Sequence, residues 1–244
     1  MSYLRLLPLL LGITFVACGD DRSATPTPEP PQEQPTASGI ESSGYVWNVA
    51  SAATAEVLGV SGNIVEGERL YAERCAACHL ASGSGLKDGT YPQLAGQHKS
   101  VIVKQIMDIV EGRRDNAIMY IYAKALVDKQ KLADIALYIS FLKIRRNNGK
   151  GFGDDLERGK ELYERDCVRC HGAQGEGITE KFYPVLAGQH YDYLVRQVHH
   201  IADGLRRNAD PEMVVVVRNY SDGDRAAVAD YMSRLEWPNG HEAP

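Results

Sequence analysis

Apolar residues recur at mixed three- and four-residue spacing along much of the chain, as expected of helices that bury one face. "SVIVKQIMDIV" and "YLVRQVHHIA" show it, and so do "DKQKLADIALYISFLK" and "DGDRAAVADYMSRLEW", each opened by an acidic residue suited to capping. Two shorter apolar faces, Leu70 with Tyr71 and Leu162 with Tyr163, come just before two cysteine pairs. Glycine-rich loops, "ASGSGLKDG" and "GAQGEG", follow those pairs. No alternating pattern competes for strands, so an all-α fold is expected.

The N-terminal part breaks this pattern. A mainly apolar run from Leu6 to Ala17 follows Arg5 and is shorter than the roughly 20 residues of a membrane-spanning helix. Residues 1–17 therefore read as an export signal. "FVAC" followed by Gly19 resembles the lipobox of bacterial lipoproteins, which makes Cys18 a candidate lipidated residue; the alternative is an ordinary cleaved signal with Cys18 incidental. Residues 18–44, rich in Pro, Ser, Thr and acidic side chains, offer little to bury and read as an extended tether. Residues 45–60 are apolar without a clear period, and Tyr45 and Trp47 are expected to pack on the domain that follows. Residues 238–244 form a tail.

The rest is one unit written twice. Cys75 and Cys167, Tyr91 and Tyr183, and His98 and His190 are each 92 positions apart. "GERLYAERCAACH" matches "GKELYERDCVRCH", "YPQLAGQH" matches "YPVLAGQH", and "EGRRDNAIM" matches "DGLRRNADPEM" with a small insertion. Two tandem domains follow, 61–148 and 149–237, with the breaker "RRNNGKGFGDD" at the boundary. Units of about 90 residues have small cores, so each should need something further to hold it together.

Cysteine usage says what that is. Of five cysteines, four lie in "CAACH" and "CVRCH". Cys-x-x-Cys-His is the attachment pattern of c-type haem: Cys75 and Cys78, or Cys167 and Cys170, can add to the two vinyl groups, and His79 or His171 then faces the iron. Zinc would want a fourth ligand that neither repeat supplies convincingly. A thioredoxin-type redox pair would want a strand–helix–strand setting that is missing. The sixth position separates a closed electron carrier from a catalyst. Among the downstream methionines, only Met119 and Met213 stand in equivalent places; Met107 and Met232 fall within helices as core. His98 and His190, at helix starts directly after "LAGQ", read as polar caps or surface residues rather than ligands.

With these motifs, residues 61–237 resemble dihaem cytochromes c of the cytochrome c4 type, in which two class I cytochrome c domains stand in tandem, each a few helices wrapped around one covalently bound haem c. The resemblance implies that Pro92 and Pro184 orient the proximal histidines through their carbonyls, and that Met119 and Met213 are the distal ligands. It also implies an electron carrier with redox protein partners (an oxidase, reductase or dehydrogenase) rather than an enzyme. The lipobox and tether, which are not part of the usual soluble form, point to a periplasmic protein held on a membrane. Two rivals remain open: a dihaem enzyme of peroxidase or thiosulfate dehydrogenase type with one open haem, and a fixed subunit of a larger complex.

Charge adds a last constraint. The net charge of −5, with no concentrated basic patch, argues against nucleic acid. The repeats differ: 13 Lys and Arg against 9 Asp and Glu in the first give +4, while 12 against 16 in the second give −4. Such a dipole favours contact between the halves and can steer partners differently to each.

Overall fold

The computed structural model describes residues 50–237. The proposed signal, Cys18, the tether, Tyr45, Trp47 and the tail lie outside them. Among the described residues the elements are helices, with one short 3₁₀ turn (Thr179–Lys181) and one isolated bridge between Ile178 and Tyr183. The first repeat contains α1 (Ala52–Leu58), α2 (Ile64–Arg74), α3 (Ala76–His79), α4 (Lys99–Val110), α5 (Ala117–Lys124) and α6 (Lys129–Phe141). The second contains α7 (Leu156–Asp166), α8 (Val168–His171), α9 (Tyr191–Ala202), α10 (Pro211–Arg218) and α11 (Asp222–Ser233).

Local chemistry sets the helix starts. Asn63 caps α2 by accepting from the amides of Val65 and Glu66, and Asp128 caps α6 by accepting from Lys131. At α11 the cap is Ser221 rather than the acidic residue expected there: its hydroxyl takes the Asp224 amide while Asp224 reaches back, a capping box that places Asp222 inside the helix. The aperiodic stretch before the first repeat also differs from expectation. Ser51 caps a short helix, α1, which buries Thr54 and Val57 against α4 and α6.

Each repeat closes by crossing its first long helix over its last, α2 on α6 and α7 on α11. Gly67 and Gly159, 92 positions apart, sit where these helices touch; a Cβ there would run into the backbone of Asp134 or Ala227. Each crossing leads into its own core, one containing Leu70, Tyr71, Val103, Leu132 and Ile135, the other Leu162, Tyr163, Val198, Val228 and Met232. The connecting segment is stitched to the second repeat: buried Asn148 donates to the carbonyls of Gln189 and Ser233 at 2.7 Å each.

His98 and His190 begin α4 and α9, but neither side chain caps its helix. Instead each crosses to the other repeat. His98 Nε2 lies 2.8 Å from the Glu176 carbonyl, and His190 Nε2 lies 2.7 Å from that of Ser84. The expected cap or surface residues are therefore cross-links, each tying a helix start of one repeat to the glycine-rich loop of the other, and His190 is only 2% exposed.

Candidate functional site

In each repeat the first long helix bends at a cysteine, and a single extra turn carries the rest of the motif. His79 N–H donates to the Cys75 carbonyl and His171 N–H to that of Cys167, both at 2.9 Å. These bonds hold two thiols and an imidazole on one helical face. The end of that turn is fixed by a buried tyrosine: Tyr71 donates to the Leu80 carbonyl at 2.9 Å, and Tyr163 to that of Gly172 at 2.7 Å. The chain there has positive φ, which Gly172 adopts freely and Leu80 adopts under strain.

Both motif histidines are buried, and one ring nitrogen of each is committed. His79 Nδ1 donates to the Pro92 carbonyl at 3.0 Å and His171 Nδ1 to that of Pro184 at 3.1 Å. That tautomer leaves Nε2 with its lone pair free to ligate. Burial also holds both imidazoles below their ordinary pKa, in the neutral form a metal needs. The four thiols are unbridged, and burial pushes Cys75 up to about 11 and Cys167 up to about 12, so neither is a thiolate nucleophile near neutral pH. Among the described residues no group of three or more His, Cys, Asp and Glu is placed to hold a metal ion, so the zinc reading finds no ligand set.

Both motifs open on one continuous cavity of about 690 Å³. Cys75, Cys78, His79, Pro92 and Met119 line it from the first repeat, and Cys167, Cys170, His171, Pro184 and Met213 from the second. Met119 is the third residue of α5 and Met213 the third residue of α10, so the two-residue insertion before Met213 is absorbed ahead of the helix. Met107 is a core residue. Met232 is also buried in the core, though it touches the cavity wall as well. The walls are mainly apolar, with Ile102, Ile135, Leu194 and Val228 among them, which suits a large flat macrocycle.

Where the repeats meet, the cavity wall turns polar. Arg114 donates to Gln105 at 2.7 Å and Arg206 to Gln197 at 2.9 Å; each guanidinium also reaches the other repeat's glutamine at 3.4 Å, and Arg114 reaches the Tyr193 hydroxyl at 3.1 Å. Burial opposes ionisation of Tyr193, but the charges of Arg114 and Arg206 outweigh it and hold the phenol below its ordinary pKa. The centre of the cavity is thus a place of positive potential, where carboxylates are welcome. Nearby, Asp108 is fully buried between Lys104, Arg113 and Asn208. Gln93 also lines the cavity, and its buried Oε1 has no hydrogen-bond partner among the described residues.

Sequence reasoning missed Gln105, Arg114, Tyr193, Gln197 and Arg206. The repeat offset contained the signal for four of them, since Gln105 and Gln197, and Arg114 and Arg206, are also 92 positions apart.

Comparison with known proteins agrees with this geometry. The cytochrome c family profile matches residues 64–143 and again 156–236. A thiosulfate dehydrogenase electron acceptor of Stutzerimonas stutzeri (strain A1501) is 33% identical over 208 residues, covering 78% of this chain and 94% of that protein. Cytochrome c4 of Pseudomonas aeruginosa is 33% identical over 169 residues, covering 66% and 83%. Among solved structures, reduced recombinant cytochrome c4 from Pseudomonas stutzeri superposes with a TM-score of 0.63 at 28% identity, covering 72% of this chain and all of that one.

Proposed function

Since the chain belongs to the cytochrome c family and is a dihaem electron carrier of the cytochrome c4 type with two covalently bound haems c, we propose that both of its irons are closed by protein ligands, and that it works in the periplasm tethered to a membrane. Cys75 and Cys78 hold one haem and Cys167 and Cys170 the other. His79 and Met119 would ligate the first iron, and His171 and Met213 the second. Pro92 and Pro184 fix the tautomer and plane of the two imidazoles. When bound, each haem supplies a one-electron ferric–ferrous couple. The chain's own residues would hold each iron with a histidine and a methionine, keep substrate and water from it, and offer Arg114 and Arg206 to the haem carboxylates. Thioether ligation favours the ferrous state and suits a carrier of relatively high potential.

The observation that carries this reading is the sharing of one cavity by two equivalent sets of two thiols, a histidine with Nδ1 committed, and a methionine at the third position of a helix. It favours two closed irons over the dihaem enzyme with one open position. On the partner side, similarity to a protein named as the electron acceptor of a thiosulfate dehydrogenase supports a dehydrogenase as donor, with an oxidase or reductase as the onward acceptor. Ile118 and Ile121, 62% and 71% exposed on the helix of Met119, give the first repeat an apolar face for such a protein. No helix among the described residues is long and apolar enough to cross a membrane; the tether rests on the lipobox-like "FVAC".

Optical spectra of the oxidised protein test the ligand sets. Two closed haems give the long-wavelength sulfur-to-iron band at full intensity for both irons and react slowly with cyanide. Half intensity with rapid cyanide binding at one haem sinks the closed-carrier reading. For the tether, mass spectrometry of the mature N-terminus is expected to find a diacylglyceryl-modified Cys18; an unmodified terminus at another residue removes that claim.

A further inference from the structure

The "LAGQ" glutamine of each repeat is built into the other repeat's ligand support. Gln97 Oε1 accepts from the Val185 amide at 2.9 Å, and Gln97 Nε2 donates to the Val185 carbonyl at 3.1 Å. Gln189 returns the arrangement: its Oε1 accepts from the Gln93 amide at 2.9 Å and its Nε2 donates to the Gln93 carbonyl at 3.0 Å. Each Oε1 also accepts from the amide of its own following histidine, His98 at 3.2 Å and His190 at 3.1 Å.

These amides are not arbitrary. The Val185 N–H belongs to the same peptide group as the Pro184 carbonyl, which accepts from His171 Nδ1; the Gln93 N–H belongs to the same group as the Pro92 carbonyl, which accepts from His79 Nδ1. A peptide group that donates through its N–H is polarised and becomes a stronger acceptor at its C=O. The line from Gln97 therefore runs through one peptide group to the imidazole of the second repeat. The line from Gln189 runs in the same way to the imidazole of the first.

We propose that Gln97 and Gln189 are positioning residues that tune the haem potentials crosswise, each setting the haem of the opposite repeat. This rests on His79 and His171 being the proximal ligands. A stronger acceptor at Nδ1 gives the imidazole more anionic character, makes it a better ligand for ferric iron, and lowers the potential. Loss of a glutamine weakens that acceptor and raises the potential of the other repeat's haem. The same four bonds join the two domains, so a change in how the domains sit against one another reaches both irons through their ligands.

The experiment is a spectroelectrochemical titration of the holoprotein, with each haem followed by its own methyl resonances in NMR. Gln189→Met is expected to raise the potential of the haem on Cys75 and Cys78 while leaving the haem on Cys167 and Cys170 in place; Gln97→Met does the reverse. In the ferrous protein the Nδ1–H resonance of the opposite histidine moves upfield. Gln189→Glu puts a charged acceptor on the Gln93 amide and is expected to lower the potential of the first haem below its original value, so the test survives if a methionine variant fails to fold. A shift confined to the variant's own repeat, equal shifts of both haems in every variant, or no shift while the sulfur-to-iron band is intact overturns the relay alone. Absence of proximal Nδ1–H resonances from His79 and His171 in the unmodified protein overturns the ligand assignment and the relay with it.

Discussion

In the proposed ligand sets Met119 and Met213 would close the two irons, and each can be altered separately because they stand on different helices, α5 and α10. Met119→Ala is expected to halve the sulfur-to-iron band, let the first haem bind cyanide rapidly and lower its potential, with Met213→Ala doing the same for the second; optical titration reads all three. A second residue-scale effect lies directly after the motif, where Leu80 has φ of 63° and ψ of 156°, and Gly172 has φ of 79° and ψ of 164°. That region suits glycine alone and costs another residue about 1–3 kcal/mol. The Tyr71 hydroxyl on the Leu80 carbonyl helps hold the strained form. Leu80→Gly should therefore stabilise the first repeat by about 1 kcal/mol, once the added freedom of the unfolded chain is subtracted. Gly172→Ala should destabilise the second by at least as much, since its Cβ would also meet the Glu176 carboxylate. Urea midpoints of the holoprotein measure both.

At the scale of elements, the helix crossings make the matching demand in each repeat. With the backbone of α6 pressed on Gly67 and that of α11 on Gly159, no side chain fits without moving a helix. Gly67→Ala or Gly159→Ala is expected to cost about 1–3 kcal/mol, the usual range for overpacking, and to lower the thermal midpoint of the altered repeat. These glycines show what a sequence of this kind makes legible. The motif residues, the long helices and the equivalence of Met119 and Met213 were readable because local spacing and a strict repeat encode them. The short helix α1 was not, because Val57 and Thr54 find their partners in α4 and α6 and leave no period of their own in seven residues. Nor was the Ser221 cap, since serine and aspartate compete for the same amides and only geometry decides. His98 and His190 misled for a related reason: their partners are backbone carbonyls some 78 and 106 residues away, and a carbonyl has no sequence signature.

In the whole molecule those histidines tie the stability of the domain interface to pH. His190 Nε2 donates to the Ser84 carbonyl while its Nδ1 accepts from the Gly149 amide at 3.0 Å, so both nitrogens are used by the neutral ring and a second proton would displace the Gly149 bond. Burial holds the pKa of His190 below the ordinary value, although the Ser84 carbonyl, Asp88 and Asp192 pull the other way; Lys87 adds to the depression. His98, against the Glu176 carbonyl and near Glu180, is depressed by burial too. The unfolded chain then binds protons at these sites at higher pH than the folded protein does. Stability from them is complete above the unfolded histidine pKa of about 6.5 and is lost progressively as pH falls from there toward the folded values. Urea midpoints of the holoprotein should therefore be level near about pH 8 and fall toward about pH 5. His190→Gln should lower the midpoint at the upper end, because buried bonds are lost, and should flatten the decline, because one titrating group is gone. A variant that declines as steeply as the unaltered protein would assign the acid sensitivity to other groups and leave His190 as a cross-link without a role in it.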